Sequence, residues 1–140
     1  MTIALLPDVV TLVRNYLLQC VDITAIVDQR IATSSPADTS SPWVRLTRIG
    51  GPISKTAPQW IDYPNVQIDC FAPPDGGDLA AMTLARTVRA CMFAAANYSD
   101  GEGVIAYVTE PLGPRSQPDT SRTPPTPRVH MTLAITTRPA

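Results

Sequence analysis

The sequence predicts a two-layer α+β domain: a four-stranded, mostly antiparallel sheet with two amphipathic helices on one face and a long Pro-rich hairpin arm. Three observations lead there. Four short segments read as strands, Trp43 to Ile49, Asn65 to Phe71, Val104 to Glu110 and Arg128 to Thr137. Two longer segments repeat apolar side chains at helical spacing, one after Asp8 and one after Asp78. The order places a helix between two hairpins, which favours antiparallel pairing and a helical layer on one side of the sheet.

Each element has its own signal. Val9, Leu12, Val13, Tyr16, Leu17 and Cys20 share one helical face while Arg14, Asn15 and Gln19 lie off it, which gives three to four turns capped by Asp8, with Pro7 tolerated at the start. After Asp22, ITAIVDQRI reads as a further short helical turn, and ATSSPADTSSP as a loop. In the first strand Trp43, Arg45 and Thr47 face one way and Val44, Leu46 and Arg48 the other. GGPISKTAPQW is then a flexible connection to a second strand whose Val66, Ile68 and Cys70 share a face. Asp78 is the expected cap of the second helix. Its stripe comprises Leu79, Met82, Ala85, Val88, Cys91, Met92 and Ala95, and it ends near Asn97, where YSDGEG has turn chemistry. Val129, Met131, Leu133 and Ile135 form the inward face of the last strand. The expected core is Val13, Leu17, Val66, Ile68, Val88, Met92, Met131 and Leu133. The opposite sheet face (Arg45, Gln67, Asp69, His130, Thr132) is left to water or another subunit.

Between the last two strands lies PLGPRSQPDTSRTPPTP, residues 111–127, with six prolines and one large apolar side chain. Proline gives no backbone donor, and so polar a run buries too little surface to offset its ordering entropy, so this arm is not expected to fold unaided. Structureless loops beyond about 12 to 15 residues are uncommon in compact domains and are mostly functional or disordered. Both readings stay open.

Composition narrows the function. At 140 residues the chain fits one domain, residues 1–140, with a single core. Charged residues make up 16%, against a usual figure of about 25%, which suits a surface that neighbours cover and equally an ordinary low-charge protein. The net charge is −1 with cations scattered, so no basic stripe marks a nucleic-acid reader. MTIALLPDVV lacks a cationic leader and no apolar run nears the roughly 18 residues of a membrane span, so the expectation is a cytosolic, unprocessed chain with no membrane partner.

Candidate chemistry is sparse. Cys20, Cys70 and Cys91 form no CxxC and His130 is the only histidine, so a zinc site has little support; buried, reduced thiols are expected, with a Cys70 to Cys91 bridge as the alternative. There is no GxSxG and no GxxxxGK[ST], and PDGGD and DGEG are turns. Asp62 and Asp69 could be imagined as paired carboxylates, but such residues beside a strand start are usually solvated. Arg86 and Arg89, one helical turn apart, suit a phosphate or, more simply, a solvated helix flank. His130, on the polar phase of its strand, reads as a surface or interface residue rather than a base. Trp60 closes a long loop that also carries Ile53, a combination that suits an interface anchor; packing of the loop onto its own sheet is the alternative. No catalytic residue, metal or cofactor is therefore assigned.

The assembled pattern resembles the tail terminator, or tail completion, proteins of long-tailed bacteriophages. It rests on DVVTLVRNYLLQCVDITAIVDQRIA, then WVRLTRIGG with its long loop, then NVQIDCFAPPDGGDLAAMTLARTVRACM, and a final strand pair split by a variable segment. Residues 111–127 depart from it in length and Pro content. The resemblance implies a virion protein at the head-tail junction, assembled in the host cytoplasm. It would form a homo-oligomeric ring, typically a hexamer, seated on the major tail tube protein and offering a surface to a neck or head-tail connector protein. DNA would only pass through its channel. The expected interface residues are Ile53, Lys55, Trp60, Leu112, Arg115 and Arg122. Other readings are a connector or head-closure protein of the same neck, a small enzyme using Asp62, Asp69 or His130, and a monomeric domain whose arm takes a peptide.

Overall fold

The computed structural model describes residues 1–140. Three helices, α1 (Val9–Leu17), α2 (Val21–Val27) and α3 (Gly77–Phe93), accompany five strands, β1 (Ile31–Ala32), β2 (Trp43–Arg48), β3 (Asn65–Phe71), β4 (Val104–Ser116) and β5 (Arg128–Arg138). They form one sheet in the order β1-β2-β3-β5-β4, antiparallel except for the parallel β1–β2 pair. The α+β class, the four longer strands and the placement of the helices therefore agree with the sequence reading. The strand count does not, because β1 spans two residues, too few for any alternation to register.

Local chemistry explains the helices. The Asp8 side chain accepts from Val10 N at 3.1 Å and caps α1 as expected. That helix stops at Leu17, short of Cys20, and ITAIVDQRI divides between α2 and β1. The cap of α3 is Gly76 with no side-chain bond, so Asp78 is not the cap; it lies in the first turn, where its charge meets the positive helix end. The buried stripe of α3 is Ala81, Leu84, Ala85, Val88 and Met92, rotated from the expected one. Leu79 is exposed, and Leu84 lies in the core in its place. The eight expected core residues are all fully buried, in a cluster beneath the three helices.

The Pro-rich arm is the larger correction. β4 runs on through Pro111 and Pro114 to Ser116, still paired with β5, and bulges fall between Ile105 and Tyr107, Thr109 and Leu112, and Leu112 and Arg115. Each proline sits within a bulge of an edge strand, where no ladder donor is required of it. The rest is a closed turn: Asp119 and Thr126 exchange backbone hydrogen bonds of 2.8 and 3.0 Å. Asp119 Oδ1 also accepts from Ser121 N and Oγ at 3.0 and 2.7 Å, which holds its carboxyl below the usual range. The arm extends the sheet because bulges absorb Pro111 and Pro114, and the Asp119–Thr126 pairing closes the rest.

The face of the sheet away from the helices pairs with itself rather than waiting on water. Trp43 and Phe71, cross-strand partners, stack with centroids 4.5 Å apart, and the Arg45 guanidinium lies 5.0 Å from the Phe71 ring. Asp69, only 1% exposed, accepts from Arg45 at 3.3 Å and from Gln67 at 3.1 Å. Beside it Arg115 Nε donates to His130 Nε2 at 2.8 Å.

Candidate interaction surfaces

The antiparallel register gives the sheet two ends. At one, β2 and β5 finish and β3 and β4 begin; the 49–64 loop, the 98–103 turn and the segment before α1 gather there. At the other, the 33–42 and 117–127 loops meet, and Arg122 Nη1 donates to Thr39 Oγ1 at 2.9 Å. A strand of about six residues separates them by roughly 20 Å. The expected interface residues divide between these ends. Ile53, Lys55 and Trp60 belong to the first; Arg122 belongs to the second; Leu112 and Arg115 lie along the β4 edge.

The 49–64 loop is ordered by its own hydrogen bonds, so the expected flexible connection is corrected to a built one. Gly50 and Gly51 take φ of +96° and +124°, and a Cβ on Gly51 would fall 2.1 Å from Tyr63 O. Arg48 grips Asp62 with two bonds of 2.8 and 3.1 Å, and the Asp62 backbone exchanges bonds of 3.0 and 2.9 Å with Thr137. A turn from Ala57 to Ile61 closes the loop, with buried Ser54 Oγ accepting from Ala57 N at 3.0 Å. On this frame Ile53 is 74% and Trp60 63% exposed. Trp60 does not pack back onto its own sheet, which removes that alternative. Both side chains project from a loop held by its own hydrogen bonds. Lys55 is exposed and makes no ion pair.

The remaining candidates do not converge on chemistry. Asp62 is tied to Arg48 and Asp69 to Arg45, seven positions apart along the chain. Asp69 and His130 are cross-strand partners without a hydrogen bond between them, and neither lines a cavity. Burial, and then the Arg115 charge, hold the His130 pKa below its ordinary value, so its Nε2 is free to accept from Arg115. Arg89 is bound to Glu110 and lies over the Phe93 ring, 4.9 Å from its centroid, so of the two arginines on α3 only Arg86 is uncommitted. The cysteines are unbridged: Cys70 is buried, with its thiol pushed up by burial, and Cys20 and Cys91 are half-buried. No helix is long and apolar enough to cross a membrane.

Sequence reasoning passed over one surface. Met1, Ile3 and Leu5 are exposed ahead of Leu6 and Pro7, which line a groove with the 49–64 loop, and Ile49 is half-exposed in that loop. The signal was present in MTIALLP, where Thr2 is the one polar residue.

Compared with known protein families, residues 5–140 match a family model described as phage tail termination protein. No curated protein matches the chain.

Proposed function

We propose, from the premise that the chain belongs to the phage tail termination protein family, that it closes into a ring on the last layer of tail-tube subunits. There it would stop tube growth and present a docking surface to the head-tail connector. Membership makes it a structural protein of the virion tail and not an enzyme. The ring, the channel that passes DNA, the contacts with tube and connector, and assembly in the host cytoplasm are our reading. So are the interface roles of Ile53, Lys55, Trp60, Leu112, Arg115 and Arg122.

One observation carries it: the domain has two chemically different ends. One exposes Ile53 and Trp60 on a rigid loop; the other is a proline, serine and threonine surface built from the 33–42 and 117–127 loops. A ring between two dissimilar neighbours needs that asymmetry, and a head-to-tail contact whose rotation closes. A net charge of −1 fits a lumen that lets DNA slide, because each phosphate neutralised would add affinity. Leu112 supplies an apolar contact on the β4 edge, while Arg115 and Arg122 retain guanidinium donors for carboxylates across a boundary.

Light scattering on the purified chain, alone and with tail-tube protein, tests the reading. Wild type should show a defined multimer or bind tube ends. Ile53→Ser with Trp60→Ser, both exposed and so neutral for folding, should abolish this while the circular dichroism stays unchanged. A monomer that ignores tubes would overturn it.

A further inference from the structure

Two of the three cysteines meet where the helical layer turns a corner. Cys20 ends the short link between α1 and α2, whose axes are bent by 92°, and it is the N-cap residue of α2. Cys91 sits in the last turn of α3. Tyr16 ties the two together: its backbone carbonyl accepts from Cys20 Sγ at 3.7 Å, and its hydroxyl donates to Cys91 O at 2.6 Å. Both cysteine side chains pack against the core and both are half-buried. Burial, and then the neighbouring Cys20 thiol, push the Cys91 thiol up to about 12, and burial followed by Cys20 does the same to the Tyr16 hydroxyl. The Cys20 thiol is thus an immediate neighbour of Cys91.

A sulfur pair of this kind has few uses. No third metal-ligating side chain stands with it, and a thiol held protonated at neutral pH is a poor ligand and a poor catalytic nucleophile. Its position favours a covalent bond instead. Disulfide geometry is strict, and both cysteines lie near element ends, where the chain can adjust to it without breaking a helix. Cys91 also lines an open cleft of about 710 Å³ beside Asp22 and Arg86, which gives a soluble reagent access. Cys70, by contrast, is fully buried in β3.

We propose that Cys20 and Cys91 are a latent disulfide, which closes between the α1–α2 corner and α3 when the protein meets an oxidising, low-molecular-weight disulfide such as oxidised glutathione. The Cys91 thiolate attacks one sulfur of that reagent, breaking its S–S bond and releasing one glutathione, which takes up the proton that Cys91 lost. Cys20 Sγ then displaces the second glutathione, which carries off the Cys20 proton as it leaves. Two protein thiols are oxidised to one bond, and one glutathione disulfide is reduced to two thiols. Because a high thiol pKa keeps the thiolate scarce, closure is slow at neutral pH and faster in alkali. The family places the chain in a virion tail, and virion surfaces are among the oxidising settings in which disulfides persist.

Incubating the full-length protein overnight with oxidised glutathione at about pH 8.5, then counting thiols in denaturant and mapping peptides by mass spectrometry, tests it. Two of the three thiols should be lost without gain of glutathione, leaving a mass lower by two hydrogens and a linked Cys20–Cys91 peptide pair. The bond closes a loop of roughly 70 residues, so the thermal midpoint should rise by about 10 °C and fall back on adding dithiothreitol. Cys20→Ser, at a half-buried position, should fold, keep the midpoint of the reduced protein and stop at a glutathione adduct on Cys91. Three free thiols after the incubation, a glutathione adduct that persists on the wild type, or a bridge to Cys70 or between chains overturns the proposal.

Discussion

Glycine 51 shows how one residue holds the proposed surface in place. Its backbone angle and the 2.1 Å approach to Tyr63 O exclude any side chain, so Gly51→Ala should cost about 1 to 3 kcal/mol and loosen the Ile53 to Trp60 loop. Urea unfolding measures the first effect and amide exchange the second. In the core, Leu84→Ala should cost about 2 to 5 kcal/mol and Leu79→Ala almost nothing, since Leu84 is buried and Leu79 exposed. Equal costs for the two would reverse the assigned helix face. His130 gives a pH test. Its folded pKa is depressed by burial and by Arg115 and Arg128 against the opposing Asp69, so below an ordinary value of about 6.5 the unfolded chain holds the proton more readily. The stability it contributes is complete above that pH and declines as pH falls below it. The urea midpoint should drop between pH 7.5 and 5.5 by less in His130→Gln than in wild type.

At the level of elements, the strands and the core faces were legible because burial on one side of a sheet forces a period of two. Val66, Ile68, Met131 and Leu133 could hardly be read otherwise. What escaped were elements set by tertiary context. β1 has two residues and exists only because β2 offers an edge, and the α3 stripe drifted because its Ala-rich sequence leaves several faces equally apolar. The arm was misread for a definite reason. Proline argues against a central strand, yet β4 is an edge strand, and one bulge per proline keeps Leu112 opposite Thr132 and Arg115 opposite His130. The same bulges and prolines protect that edge from pairing with another sheet. Replacing residues 117–126 with a two-residue Asn-Gly turn should accordingly leave the subunit folded, with thermal unfolding within a few degrees of wild type. If the 33–42 and 117–127 end meets a neighbour, the shortened chain should assemble poorly. Collapse of the fold would instead make this turn part of the core structure.

On the scale of the whole molecule, function was legible only as an arrangement. The order of elements resembled tail terminators, a family to which the chain belongs. Trp60 and Ile53 stood out in the sequence as apolar residues in a polar loop, but the hydrogen bonds of Asp62 and Thr137 and the turn at Gly51 that hold this loop are announced by no local pattern. The most direct test of the central claim is tail-tube length, measured by electron microscopy on tubes polymerised with and without this protein. Tubes of restricted length, capped at one end, should form when it is present, and overlong tubes when it is absent or carries Ile53→Ser with Trp60→Ser. The same length distribution with and without it would contradict the account.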